Sequence, residues 1–386
     1  MKPGWQVKKL GDVCEIVKGR KPLLKAAPSG GDLPYLAAKV MRGTEQAEYA
    51  SVNDRNSIIV TETETIIICD GSNSGEVFTG FRGILSSTMG KIFKRAEIDD
   101  NYLRAFLSST FDLFNGTKTG AAIPHLDKDA MYRLEFPLPP LPDQRRIVGI
   151  LDEAFGGIAT AKANAEKNLQ NARAIFESHL QSVFAKHGPG WVEKRLVEVS
   201  REFGRGKSKH RPRNEPTLYD GPYPFIQTGD ISSADHWLTD YTQTYSETGL
   251  AQSRLWPRGT ICIAIVGATV GETAILDFDA CFPDSVIGIV VDEQCADGEY
   301  VEFLLQAFKA ILKEKGKGTA RDNINLGTFE SQTFPFPPLK QQAEIVAELN
   351  SLREETQRLA SIYERKLAAL EALKRSLLHQ AFTGKL

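Results

Sequence analysis

Half-way along, the 386-residue sequence begins again. A repeat of that length restricts the fold more than any single motif, because both copies must satisfy one architecture. Gly4-Trp5 with Lys8, Lys9 and Leu10 returns as Gly190-Trp191 with Lys194, Arg195 and Leu196, and Pro34-Tyr35-Leu36 returns as Pro224-Phe225-Ile226. The run Thr65 to Cys69 enters Gly71-Ser72-Asn73-Ser74-Gly75, and Ile261 to Val266 enters Gly267-Ala268-Thr269-Val270-Gly271. Each reads as a buried strand leading into a glycine loop. An amphipathic helix follows, marked by Leu103, Phe106, Leu107 and Phe114 in one copy and by Val301, Leu304, Leu305, Phe308 and Leu312 in the other. Both helices end in polar loops that carry glycine, residues 115–120 and 315–323.

Each copy closes on a proline run, Phe136-Pro137-Leu138-Pro139-Pro140-Leu141 and Phe334-Pro335-Phe336-Pro337-Pro338-Leu339, followed by Gln144 and Gln342. Proline continues neither a ladder nor a helix, so the run stiffens the exit from the domain and aims the segment that follows. That segment is helical in pattern. Ile147, Leu151, Ala154, Ile158, Ala161 and Ala165 alternate spacings of four and three, and Ile345, Leu349, Leu352, Thr356, Leu359 and Tyr363 keep the same beat. Each helix is expected to run about 40 residues, or roughly 60 Å, which is too long for the interior of a small domain. The sustained heptad favours a coiled coil over two helices lying separately on their own domains. If the copies are related by an approximate two-fold, the helices pack antiparallel, with the globular domains at opposite ends of a rod. The expected fold is α+β: two pseudo-two-fold-related α/β domains, residues 1–140 and 187–338, separated by two long antiparallel helices, residues 141–186 and 339–386, that form a coiled coil.

Lys and Arg number 47 against 49 Asp and Glu, a net charge of −2 that excludes a protein coating nucleic acid non-specifically. Any nucleic-acid contact has to come from local patches. One lies between Arg201 and Arg213, where Arg201, Arg205, Lys207, Lys209, Arg211 and Arg213 face a single acidic neighbour, Glu202; a solvated loop would carry the same charges. No stretch approaches the roughly 20 apolar residues of a membrane helix, and the N-terminus lacks a signal-peptide core, so a cytoplasmic location and no membrane partner are expected. Cys14, Cys69, Cys262, Cys281 and Cys295 are odd in number and scattered, and read as reduced, packed thiols.

No catalytic constellation assembles from the sequence. The double prolines are followed by leucine, in Leu138-Pro139-Pro140-Leu141 and Phe336-Pro337-Pro338-Leu339, where an adenine methyltransferase carries an aromatic residue after Asn/Asp-Pro-Pro. Gly204-Arg205-Gly206-Lys207-Ser208 imitates a phosphate loop, but Arg201 stands where its first glycine belongs. His125, His179, His187, His210, His236 and His379 show no metal-ligand spacing. Three classes remain open on the residues alone: a non-catalytic DNA-recognition protein, an enzyme of DNA metabolism with an unrecognised site, and a coiled-coil scaffold with duplicated protein-binding domains.

The motif P-L-P-P-L-x-x-Q-x-x-I-V opening a long helix, present twice at Pro137 to Val148 and Pro335 to Val346, resembles the Type I restriction-modification specificity-subunit family over nearly the whole chain. The ending Leu377 to Leu386 is similar too. Pro142, Asp143 and the pair Gly156-Gly157 depart from the family pattern and bear on the continuity of the first helix. The resemblance implies a non-catalytic subunit that reads an asymmetric bipartite DNA target. It also implies two modification subunits and two restriction subunits as partners, adenine methylation or DNA cleavage by those partners, and AdoMet, ATP and Mg on them with no cofactor in this chain.

On that reading, phosphate contacts fix register while other side chains read base edges. In the first domain the candidates are Lys18, Arg20 and Lys21, then Ser72, Asn73 and Ser74 of the glycine loop, then Lys118 and Thr119 after the helix. In the second they are Arg205, Lys207, Lys209, Arg211, Thr269, Lys317, Thr319, Arg321, Asn323 and Asn325. Arg321 and Asn323 suit paired hydrogen bonds to guanine and adenine. The loops differ between copies more than the strands do, so two unlike half-sites are expected, about one DNA turn or roughly 10 bp apart centre to centre.

Overall fold

The computed structural model describes residues 4–116, 125–186, 188–209, 212, 214–316 and 326–386. The chain forms two compact units, residues 1–166 with 364–386, and residues 167–363.

In the first unit one antiparallel sheet takes the order Cys14–Lys18, Met89–Lys94, Ile66–Ile68, Val77–Phe78. A second sheet takes the order Tyr49–Ser51, Asp32–Leu36, Gly83–Leu85, Ile59–Val60, and its central pair is parallel. The other unit repeats this plan. Its first sheet runs Ser200–Arg205, Val286–Val291, Ile261–Ala264, Thr273–Leu276 and gains Trp237–Leu238 at the edge. Its second sheet runs Gln243–Tyr245, Tyr219–Phe225, Ala280–Cys281, Leu255–Trp256, again with a parallel central pair. The apolar runs in the sequence are central strands: Ile66, Ile67 and Ile68 are buried, as is every residue from Ile261 to Ala264.

The helix Asp100–Ser109 covers the first sheet with Tyr102, Leu103, Phe106 and Leu107, and the helix Gly298–Gly316 does the same in the second unit with Tyr300, Val301, Leu304 and Leu305. The proline motif has a physical role in placing them. Buried Gln144 accepts from the Asp99 backbone N–H (2.9 Å) and donates to the Pro139 carbonyl (2.8 Å), so one amide ties the start of the sheet-covering helix to the chain exit. Gln342 repeats both bonds with Asp297 (2.9 Å) and Pro337 (2.8 Å). The buried hydroxyls of Tyr102 and Tyr300 donate to the carbonyls of Pro137 (3.0 Å) and Pro335 (2.7 Å).

The long helices are Leu141–Ala185 and Leu339–Thr383, 45 residues each. Each begins in the core of one unit and ends in the core of the other. In the first unit Ile147, Val148 and Leu151 share a core with Leu378 and Ala381, and Phe382 packs edge-on against Tyr102 (5.4 Å) and Phe106 (5.2 Å). Arg146 bonds Leu386 (3.0 Å) and Lys162 bonds Glu371 (2.8 Å), so the segments run antiparallel there. In the second unit Leu180 and Phe184 join Ile345, Val346 and Leu349, while Arg353 lies over Phe176 (5.3 Å) and His179 meets Glu348 (2.7 Å), antiparallel again. The helix continues through Gly156-Gly157, because Leu151 and Ile158 on either side are buried and hold it. All five cysteines are free thiols, four of them buried.

Candidate nucleic-acid interface

The basic residues that open each copy stand where the strands Cys14–Lys18 and Ser200–Arg205 run out. Register makes Lys18 the counterpart of Arg205, opposite Gly90 and Ile287. The next residue is glycine in both copies, and its backbone N–H continues the ladder to Met89 (2.8 Å) or Val286 (2.9 Å). Neither glycine tolerates a side chain. A Cβ on Gly19 would lie 2.1 Å from the Ser86 carbonyl oxygen, and one on Gly206 2.2 Å from that of Phe282. These glycines pin the strand ends and leave Lys18, Arg20 and Lys21, and Arg205, Lys207 and Lys209, exposed around them. Gly204 to Ser208 therefore spans a strand end rather than a phosphate loop. Elsewhere in the basic patch Arg201 pairs with Asp292 (3.5 Å) and Glu202 with Arg254.

The glycine loops are tight turns of one design. In the first, the backbone N–H groups of Ser74, Gly75 and Glu76 donate to Gly71, Ile68 and Asn73; in the second, those of Val270, Gly271 and Glu272 donate to Gly267, Ala264 and Thr269. Gly75 and Gly271 hold φ of 98° and 82°, which glycine adopts without steric cost. The side chains mounted on the turns differ. Ser72 is exposed, and Asn73 accepts from the Arg42 guanidinium at 2.7 Å in the amide orientation that satisfies both of its ends, while Arg42 also pairs with Glu76. Thr269 is half-buried and its hydroxyl bonds the Val266 carbonyl (3.3 Å). Ser74 is 0% exposed, its hydroxyl turned into the protein, so packing rather than contact accounts for it. Lys118, Thr119, Arg211, Lys317, Thr319, Arg321, Asn323 and Asn325 lie outside the described residues.

Two residues that sequence reasoning passed over complete the first site. Lys18 Nζ lies 2.5 Å from Asp70 Oδ2, and His125 Nδ1 lies 2.8 Å from Asp70 Oδ1. The strand end, the root of the glycine loop and the residue that follows segment 117–124 thus meet at one carboxylate. Burial works to raise the Asp70 carboxyl, but the hydrogen bonds from Lys18 and His125 outweigh it and hold it below the ordinary value. The position equivalent to Asp70 is Val266, so setting the halves side by side would have exposed the difference.

The second unit has its own polar cluster, beneath the surface. Glu302 is fully buried and accepts from His236 Nδ1 (2.6 Å), Thr273 Oγ1 (2.7 Å) and Gln306 Nε2 (2.6 Å). His236 also meets Glu299 (3.1 Å), which accepts from Asn350 of the second long helix (2.8 Å), and its ring stacks on Phe303 at 4.7 Å. With every contact internal, the cluster fastens the sheet-covering helix to the long helix. Among the described residues no group of His, Cys, Asp and Glu could hold a metal ion. No described helix is long and apolar enough to cross a membrane.

The paired units and the long helices agree with what similarity to known proteins shows. A family model described as the Type I restriction modification DNA specificity domain matches residues 2–169 and again residues 189–364. The chain belongs to the Type I restriction-modification specificity family. Within it, the chain is 26% identical to the Type I restriction enzyme MjaVIII specificity subunit of Methanocaldococcus jannaschii, over 99% of this chain and 93% of that one. It is 20% identical to the EcoBI specificity subunit of Escherichia coli, over 90% of this chain and 78% of that one. The fold matches a chain from a structure described as the basis of complex assembly and conformational transition of the type I R-M system, with TM-score 0.80, 20% identity and coverage of 100% and 99%. It also matches the HsdS subunit from Thermoanaerobacter tengcongensis, with TM-score 0.60, 19% identity and coverage of 100% and 98%. Specificity subunits are the non-catalytic members of these systems, and the family places this chain among them.

Proposed function

We propose that this specificity subunit reads an asymmetric bipartite DNA target, one half-site per unit, and positions modification and restriction subunits on it. The observation that carries the reading is a shared framework bearing unlike side chains. The glutamine clamps, pinned strand ends and glycine turns coincide bond for bond, while Ser72 and Asn73 face Ala268 and Thr269, and Asp70 faces Val266. In this reading residues 1–140 and 187–338 are the recognition domains, and 141–186 and 339–386 the helical spacers. Lys18, Arg20 and Lys21, and Arg205, Lys207, Lys209 and Arg211, hold phosphates; Ser72, Asn73, Lys118 and Thr119 in one domain, and Thr269, Lys317, Thr319, Arg321, Asn323 and Asn325 in the other, face the bases.

A net charge of −2 fits this division, since local strand-end patches rather than a global field supply the attraction. Two modification and two restriction subunits carry the chemistry, with AdoMet, ATP and Mg bound by them in the cytoplasm. The test is methylome sequencing of a host that expresses the chain with its cognate modification subunit. A two-part motif with a modified adenine in each part is expected; a single uninterrupted motif would contradict the reading. Arg321→Ala and Asn323→Ala are expected to relax one base position in one part only, at a cost of about 1 to 3 kcal/mol.

A further inference from the structure

Lys18, Asp70 and His125 form a group that the second unit does not reproduce. Three facts decide what it can do. First, the fold does not need Asp70: Val266 occupies the equivalent place before the second glycine turn, and the three backbone hydrogen bonds of that turn are the same. Second, both Asp70 oxygens are engaged, Oδ2 by Lys18 at 2.5 Å and Oδ1 by His125 at 2.8 Å, and the carboxylate is only 15% exposed. An ionised carboxylate only accepts, so its contact with Nδ1 requires the hydrogen on Nδ1. Third, the imidazole is 56% exposed, and among the described residues nothing bonds its Nε2.

The geometry points to His125 as a base-reading residue of the first half-site, its Nε2 held as an outward-facing acceptor by Asp70. This deepens the proposed function and rests on it. In the neutral ring a hydrogen fixed on Nδ1 leaves a bare lone pair on Nε2. A phosphate oxygen offers that lone pair nothing. From the major groove, where all four base pairs can be told apart, the groups that do are the exocyclic amino groups of adenine and cytosine, whereas guanine and thymine present oxygen there. The Lys18 ammonium beside it, anchored by the same carboxylate, supplies the phosphate contact that sets register. Asp70 is a positioning residue: it touches no base and acts through the tautomer of the ring.

Two measurements test this. The full chain labelled with ¹⁵N-histidine reports through two-bond ¹H–¹⁵N correlations which ring nitrogen carries the hydrogen, and the signal that disappears in His125→Asn identifies the ring. Hydrogen on Nδ1 is expected in the natural chain and its loss in Asp70→Asn; hydrogen on Nε2 in the natural chain overturns the assignment. The second measurement is the methylome of the complex with the cognate modification subunit. His125→Ala and Asp70→Asn are expected to relax one position, adenine or cytosine in the natural target, with discrimination there falling roughly tenfold and the other half-site unchanged. Lys18→Ala should lower methylation of all targets without altering the motif. An unchanged motif in an active His125→Ala complex overturns this inference alone. A natural complex without a two-part motif overturns the proposed function, and this inference with it.

Discussion

Lys207 and Lys209 stand exposed beyond the strand Ser200–Arg205 with Gly206 pinned before them. If they hold phosphates as proposed, they serve every sequence alike. The double variant Lys207→Ala, Lys209→Ala is expected to weaken binding to target and random duplexes equally and to reduce the salt slope by about 0.9 for each phosphate no longer neutralised, as binding titrations at graded salt would show. Asp70 gives a prediction in pH. Its folded carboxyl lies below the ordinary 3.8, so the stabilisation is fully present above that value and is lost as pH falls through the lowered one. Acid unfolding of Asp70→Asn should therefore lack that contribution and show a shallower loss below pH of about 4. Glu302 differs because it is fully buried with three donors. Glu302→Ala leaves His236 Nδ1, the Thr273 hydroxyl and the Gln306 amide without their shared acceptor and should cost about 2 to 4 kcal/mol in denaturant unfolding. Little of this was legible in the sequence. Asp70 and His125 are 55 positions apart, and the exposed and buried histidines look identical as letters. The positions of Lys18 and Arg205 were easier to read, Lys18 from the strand Cys14–Lys18 and Arg205 as its counterpart in the repeat.

The elements were plainer than their contacts. Both long helices could be read from a heptad, and their starts from proline, but the purpose of Gln144 and Gln342 is invisible until Asp99 and Asp297 come within 2.9 Å. Gln144→Leu leaves the part-buried Asp99 N–H and the buried Pro139 carbonyl unpaired. A loss of roughly 2 to 4 kcal/mol is expected from two such groups, read as a shift in denaturant midpoint. Gly156 and Gly157 work in the other direction. Sequence reasoning took the pair as a weak point in the first helix, yet the helix passes through them and a Cβ at either site meets nothing within 4 Å. Gly156→Ala and Gly157→Ala should each stabilise by up to about 1 kcal/mol and raise Tm. Local propensity yielded to the apolar seam, in which Leu151 and Ile158 are buried on both sides of the pair. The short strands, several of two or three residues, were beyond reach because too few positions alternate to set a period.

For the whole molecule, duplication explains why so much was legible from one sequence: each half served as a comparison for the other. Shared features, such as the proline runs and glycine turns, belong to the framework. Unshared ones, such as Asp70 against Val266 and Arg104 against Glu302, belong to what each unit does alone. The central claim is that each unit reads its own half of the target. It is tested most directly by a hybrid chain in which residues 190–335 are replaced by the matching segment of the MjaVIII specificity subunit. Expressed with the cognate modification subunit, the hybrid's methylome should show one half of the motif exchanged and the other retained. A motif changed in both halves, or in neither, from a hybrid that still methylates DNA would contradict the account.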